Sequence, residues 1–170
     1  MKINRFSWTP GLMNIGPADH ILEIGCGTGL AAEQIVPMLK KGKLIAIDQS
    51  RTAIDKAVKK NENAIKQGKA EFIQTAFLAM PKPQKKFDKI FAFNINFFWT
   101  QESIMEEANL LKKIINKEGR LFVLYGPMLE GGWEKIKPKV IANLEAAGFL
   151  INDTIRDKIV NCCCFIFSLK

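Results

Sequence analysis

The chain has 170 residues, 48% hydrophobic and 25% charged, which predicts one soluble domain large enough to bury a core. No apolar run reaches the roughly eighteen residues that a membrane span needs. The opening MKINRFSWTPG lacks a signal peptide's apolar stretch, so a cytoplasmic protein is expected. A net charge of +8 raises nucleic acid as a partner and makes the position of the lysines the question.

In chain order, apolar runs alternate with amphipathic stretches of helical length, without repeat, low-complexity tract or linker. His20-Ile24 (HILEI) predicts a strand, followed by a helix over Thr28 to Lys40 with a kink at Pro37. Lys43-Asp48 (KLIAID) predicts the second strand. Ser50 caps a helix from Arg51 to Lys66, with Ile54, Ala57, Val58 and Ile65 on one side. Ala70-Thr75 is the third strand, and AMPKPQKK a proline-containing loop. Asp88-Asn94 is the fourth strand. A helix opening at Thr100 carries Ile104, Met105, Ala108, Leu111 and Ile115. Arg120-Tyr125 is the fifth strand. A helix from Trp133 to Ala147 stops at Gly148, a residue suited to a left-handed cap. Leu150 to Arg156 and Cys162 to Leu169 close the chain as antiparallel neighbours. This order predicts a doubly wound α/β sheet of seven strands, mostly parallel with an antiparallel last strand.

Residues 21 to 30, ILEIGCGTGL, place three glycines directly after the first strand. Such a turn lets a ligand approach backbone that side chains would block. A dinucleotide fingerprint would put its third glycine at position 30, which is Leu30. A phosphate-cradling loop would need a following Gly-Lys-Ser/Thr, which is absent. Asp48 ends the second strand, nineteen residues beyond Gly29. It is placed to accept hydrogen bonds from both hydroxyls of a ribose, or to cap the helix that follows. Cys162, Cys163 and Cys164 are consecutive, so one metal ion could not gather all three from a strand. They read as small apolar residues, and no metal site is expected.

These motifs resemble the class I S-adenosylmethionine-dependent methyltransferases, in particular the small-molecule, ubiquinone/menaquinone-methyltransferase-like group. LEIGCGTG resembles the family's first motif, IAIDQS its acidic second motif, and FDKIFAFNINFFW its fourth-strand motif. LLKKIINKEGRLFVLYG resembles its helix-turn-strand unit, with Asn116, Lys117 and Glu118 departing from the usual Pro-Gly, and LEAAGF the end of its penultimate helix. The resemblance implies a Rossmann-like fold and S-adenosylmethionine as cofactor. By it, backbone at Gly25, Cys26, Gly27 and Gly29 passes beneath the methionine part, with Glu23 near the amino group. Asp48 then binds the ribose and Gln49 lies along the adenine. Thr75 and Ala76 stand where the family often has an Asp toward the adenine amino group. Asn94 contacts the cofactor beside the transferred methyl.

Methyl transfer from a sulfonium depends mainly on holding the nucleophile in line. No catalytic residue is assigned, and His20, the single histidine, starts the first strand at the edge away from the glycine loop. Groups after the fourth and fifth strands are better placed: Asn94, Asn96, Phe97, Phe98, Trp99, Tyr125, Glu130 and Trp133. Asn96, Trp99 and Tyr125 are the substrate candidates, with Trp99 and Tyr125 as an aromatic wall. Phe97 and Phe98 are read as packing under the next helix. The Asn-Pro-Pro-aromatic signature for nucleobase amines is absent, because this stretch reads Asn-Ile-Asn-Phe. The lysines at positions 40, 41, 43, 66, 69, 82, 85, 86, 112, 113 and 117 precede strands, and so collect at the edge opposite the glycine loop. A nucleic-acid partner is not expected from that arrangement, and a small-molecule acceptor is. Residues 1–19 form a short extension with room for one helical piece. The cleft is then open, covered by Trp8 and its neighbours, or covered by another chain, as in a homodimer. The rival functions are an RNA or protein methyltransferase, and a cofactor-binding partner subunit without catalysis.

Overall fold

Seven apolar segments pair into one sheet in the order β3-β2-β1-β4-β5-β7-β6. The strands are β1 (His20–Ile24), β2 (Lys43–Asp48), β3 (Ala70–Gln74), β4 (Phe87–Phe93), β5 (Ile115–Tyr125), β6 (Phe149–Asp157) and β7 (Cys162–Leu169). The computed structural model describes residues 5–127 and 131–170. Strands β1 to β5 run parallel, while β7 pairs antiparallel with both β5 and β6. The expected doubly wound Rossmann-like α/β sheet is therefore what forms. The chain steps outward from β1 to β3, then returns to β4 on the other side of β1. That reversal opens a crevice at the carboxyl ends of β1 and β4, where ligands of such sheets bind.

Helices lie on both faces of the sheet, which is why the central strands β1 and β4 are mostly apolar. The helices are α1 (Arg5–Met13), α2 (Leu30–Ile35), α3 (Arg51–Lys60), α4 (Glu62–Lys66), α5 (Phe97–Thr100), α6 (Met105–Ile114) and α7 (Gly132–Ala146). On one face Met13, Ala31, Ala32 and Ile35 of α1 and α2 pack against Ile21, Leu44 and Phe91. On the other, Ala108 and Leu111 of α6 and Val140 and Leu144 of α7 pack against Leu22, Ile90, Leu121 and Phe165. Cys163 and Cys164 are fully buried on opposite sides of β7, as alternation requires.

Three helices depart from the sequence reading. The first begins at Leu30 rather than Thr28, because Gly27 and Gly29 hold positive φ, and it passes into a 3-10 turn at Val36–Met38 around Pro37. The second breaks at Asn61, which leaves the helical region (φ −108°, ψ 23°). Its amide donates to the carbonyls of Gly29 at 3.1 Å and Ala57 at 3.0 Å. Thr100 closes the short α5 by donating from Oγ1 to the Asn96 carbonyl at 2.9 Å, so the next helix opens at Met105 instead. Val58, expected on the apolar side of α3, is exposed. Strand β5 extends back to Ile115 through a register shift opposite Phe87 and Lys89. The Ser50 cap forms as read, accepting from the Ala53 N–H at 3.2 Å.

Candidate functional site

The glycine loop leaves β1 along the end of β2. The N–H groups of Gly25 and Cys26 both donate to the Ile47 carbonyl, at 2.8 and 3.0 Å, which turns the chain sharply across the neighbouring strand. Gly25, Gly27 and Gly29 have φ of 75°, 53° and 74°, a region costly for residues with a Cβ. The three differ in surroundings. A Cβ on Gly29 would lie 2.6 Å from the Asn61 amide nitrogen and 2.9 Å from the Ala57 Cβ, so this glycine allows α3 to pack close. A Cβ on Gly25 would meet the Ile95 side chain at 2.2 Å. Nothing lies within 4 Å of the corresponding point on Gly27, which leaves its backbone open.

Asp48 fixes the loop. Its Oδ2 accepts from the Gly27 N–H at 2.8 Å, and its Oδ1 accepts from the Ser50 N–H at 2.9 Å. Charge-assisted bonds of this kind contribute about 1.5–3 kcal/mol each. A carboxylate has about four lone-pair positions, so each oxygen can still accept from a ligand hydroxyl. The helix-capping role belongs to Ser50 instead.

Glu23 lies next to this loop on β1, only 3% exposed. Its Oε2 is buried and accepts no hydrogen bond from any described residue. Burial, and after it the Asp48 charge, raise its carboxyl from 4.5 to about 8. An unpaired buried acceptor is costly, and a cationic donor would relieve it. Cys26 is buried against Ala46 and Ile54, and burial followed by the charges of Glu23 and Asp48 pushes its thiol well above the ordinary range. It stays a neutral thiol.

Two cavities flank Gly25, which lines both. One, of about 170 Å³, is bordered by Glu23, Cys26, Gly27, Asn94, Phe93 and, from α1, Phe6. The other, of about 190 Å³, is bordered by Asp48, Gln49, Thr75, Phe77, Ile95 and Phe97. Each is smaller than the roughly 300 Å³ at the low end of small-molecule sites, so a ligand with two arms would use both. The structure thus brings Glu23, Gly25, Cys26, Gly27, Asp48, Gln49, Thr75 and Asn94 to one crevice. Gly29 sits behind it against α3, and Ala76 follows Thr75 at the start of a 3-10 turn, accepting from Thr75 Oγ1 at 3.1 Å.

Asn94 has positive φ (58°) and a side chain engaged twice with Gly126, donating to its carbonyl at 2.8 Å and accepting from its N–H at 2.9 Å. It ties the ends of β4 and β5 together at the crevice wall. The proposed aromatic wall does not assemble. Tyr125 is 3% exposed, and its hydroxyl donates to the Ile95 carbonyl at 2.6 Å. Trp99 packs against the core from α5, with its indole N–H buried and without a partner among the described residues. Trp133 stacks on Phe165 at 5.3 Å. Asn96 is exposed at the start of α5, and Glu130 lies outside the described residues. Phe97, read as packing, borders the second cavity and stacks with Phe77 at 6.1 Å, whereas Phe98 is wholly buried.

Asn61, Ile95 and Phe6 are site residues that the sequence reading does not name, and Phe97 is one that it assigns to packing. Their only local signals were an asparagine inside a helical pattern and an aromatic pair after the fourth strand. His20 lies at the opposite edge, where its N–H donates to Asp88 Oδ2 at 2.8 Å. Among the described residues no group of three or more His, Cys, Asp or Glu could hold a metal ion, and no helix is long and apolar enough to cross a membrane.

Known proteins carry the same plan. The family described as "Methyltransferase domain" matches residues 21–114, more than half of the chain. An uncharacterized methyltransferase, YdaC of Bacillus subtilis (strain 168), is 25% identical over 146 residues, covering 84% of this chain and 77% of that protein. A crystal structure of a SAM-dependent methyltransferase from Aquifex aeolicus superposes with a TM-score of 0.80 at 18% identity, covering 99% and 92% of the two chains. Magnesium protoporphyrin IX methyltransferase from Synechocystis PCC 6803, solved with bound SAM, gives 0.69 at 14% identity, covering 97% and 75%. With its glycine loop, acidic second strand end and strand order, this chain belongs to the methyltransferase-domain family, the class I S-adenosylmethionine-dependent methyltransferases.

Proposed function

We propose that the crevice transfers a methyl group from S-adenosylmethionine to a small-molecule acceptor, and that the chain works as a single domain of the ubiquinone/menaquinone-methyltransferase-like kind. The observation that carries the cofactor reading is the orphaned carboxylate of Glu23, a residue that borders one cavity while Asp48 borders the other. The residues fit the cofactor on that ground. Glu23 would meet its ammonium, Gly27 would offer open backbone, Asp48 would hold the ribose hydroxyls, and Gln49, Thr75 and Phe97 would border the adenine. When bound, the cofactor supplies an activated methyl on a sulfonium.

The protein's own contribution is positioning. Tyr125 holds the Ile95 carbonyl, Ile95 packs on Gly25, and Asn94 clamps β4 to β5. These contacts fix the wall between the two cavities, and burial raises the Tyr125 hydroxyl so that it stays protonated. Phe6 and Phe93, with ring centres 6.4 Å apart, give the first cavity an apolar border. A polynucleotide would need a cationic groove beside the crevice, and no lysine or arginine is among the described residues that border either cavity.

The test is incubation of the protein and labelled S-adenosylmethionine with a cell extract split into small-molecule, RNA and protein fractions. Label is expected in the small-molecule fraction. Label confined to RNA or protein would replace the acceptor class. Absence of label from all three, with cofactor binding intact, would favour a cofactor-binding subunit.

A further inference from the structure

Every crossover between the parallel strands carries an α-helix except one. The twelve residues 75–86, between β3 and β4, hold a single 3-10 turn at Phe77–Ala79 and then neither helix nor strand through MPKPQKK. Pro81 and Pro83 account for this, since each lacks an N–H and disfavours helix in the residue before it. One face of β2 and β3 is therefore left without a helix from this crossover. Ile45 and Ile73 are only half-buried there, whereas Ile47 and Leu22, on the same face, are 1% and 0% exposed.

A cavity occupies that gap. It measures about 440 Å³, with Ile45, Ile73, Phe87 and Met80 as its apolar lining and His20, Lys43, Glu71, Lys82 and Lys85 around it. Lys43 is paired with Glu71 at 2.6 Å. Lys82 and Lys85 have no carboxylate partner among the described residues. A second cavity of about 380 Å³ lies on the other side of the same loop, with Leu110 and Ile114 of α6 and the cations Lys86 and Lys113. The loop itself divides the uncovered area. Neither side offers a continuous groove for a partner helix, which is about 10–12 Å across. The larger cavity lies within the size range of small-molecule sites.

We propose that this cavity binds a small molecule with an apolar body and one carboxylate, at a site separate from the methyl-transfer crevice. The apolar lining takes the body, and Lys82 and Lys85 take the anion. Glu71 on the same rim limits the negative charge tolerated, so a monoanion suits the site better than a phosphate dianion. The site stands at the opposite edge of the sheet from Glu23 and Asp48, so its occupant is not the methyl acceptor.

The experiment is methyl NMR on protein labelled at Ile and Met methyl carbons, titrated below micellar concentrations with decanoate and separately with decyltrimethylammonium. Decanoate is expected to shift Ile45, Ile73 and Met80 saturably while leaving Ile54 in place, and to bind at least about tenfold more tightly than the cation. Lys82→Glu/Lys85→Glu should lower decanoate affinity about tenfold and leave S-adenosylhomocysteine binding unchanged. Both side chains are exposed, and that retained binding reports that the variant is folded. Unmoved methyls, or equal affinity for the two amphiphiles, would overturn the proposal. Shifts caused by an acidic amphipathic peptide but not by decanoate would overturn it in favour of a protein partner.

Discussion

The two ends of the sheet hold cavities of opposite character. At the glycine-loop end they are small and bordered by the carboxylates Glu23 and Asp48, with no lysine or arginine among the described residues that line them. At the other end they are about twice as large and bordered by Lys43, Lys82, Lys85, Lys86 and Lys113. A parallel sheet imposes this polarity. All the turns into its parallel strands gather at one edge, and cations there suit the carbonyl ends of the preceding helices. Lys112 shows the effect directly, donating to the Ala147 carbonyl at the end of α7 at 3.0 Å. A net charge of +8 therefore says little about the crevice, whose own charge is negative.

The sharpest way to break the comparison is Asp48→Ala. It removes two charged bonds to loop N–H groups as well as the ribose acceptor, so cofactor affinity should fall about 100-fold or more by calorimetry. An unchanged affinity would show that the crevice does not need its carboxylate.

Glu23 tests the same end through pH. Its carboxyl must ionise to meet an ammonium, so cofactor affinity should rise by up to about tenfold per pH unit until about pH 8, with proton release on binding. Glu23→Gln should flatten that rise and weaken binding about tenfold at pH 8. Stability moves the other way. Below pH 4.5 the group is protonated in both folded and unfolded chains, and between 4.5 and about 8 only the unfolded chain ionises it. Wild type should therefore lose about 1.4 kcal/mol per pH unit across that window relative to Glu23→Gln, as read by urea denaturation.

Asn61→Ala comes next, costing about 1–2 kcal/mol through its lost bonds to Gly29 and Ala57, and loosening the loop severalfold for the cofactor. Smallest is Lys82→Glu/Lys85→Glu. Its effect on cofactor affinity should stay within about twofold, because screening removes most long-range influence between the two ends. A larger effect would join sites that the fold separates.

Features written in short segments were legible in the sequence. The strands, the glycine turn, Asp48 and the Ser50 cap each depend on residues within a few positions of one another. What escaped depends on chain segments that meet only after folding. Asn61 breaks a helix because its amide reaches Gly29, thirty-two positions away. Tyr125, at the end of the fifth strand, reads as part of an aromatic wall, yet its hydroxyl is spent on Ile95 thirty positions earlier. Phe6 reaches the crevice from an extension whose sequence carries no motif. The proline loop was readable as a loop, while the cavities beside it follow from the helix it replaces.

The most direct measurement is calorimetric titration of the wild-type protein with S-adenosylhomocysteine and, separately, with NADH. The account expects S-adenosylhomocysteine to bind at one site per chain and NADH to give no saturable heat. Saturable binding of NADH, with none of S-adenosylhomocysteine, would contradict it.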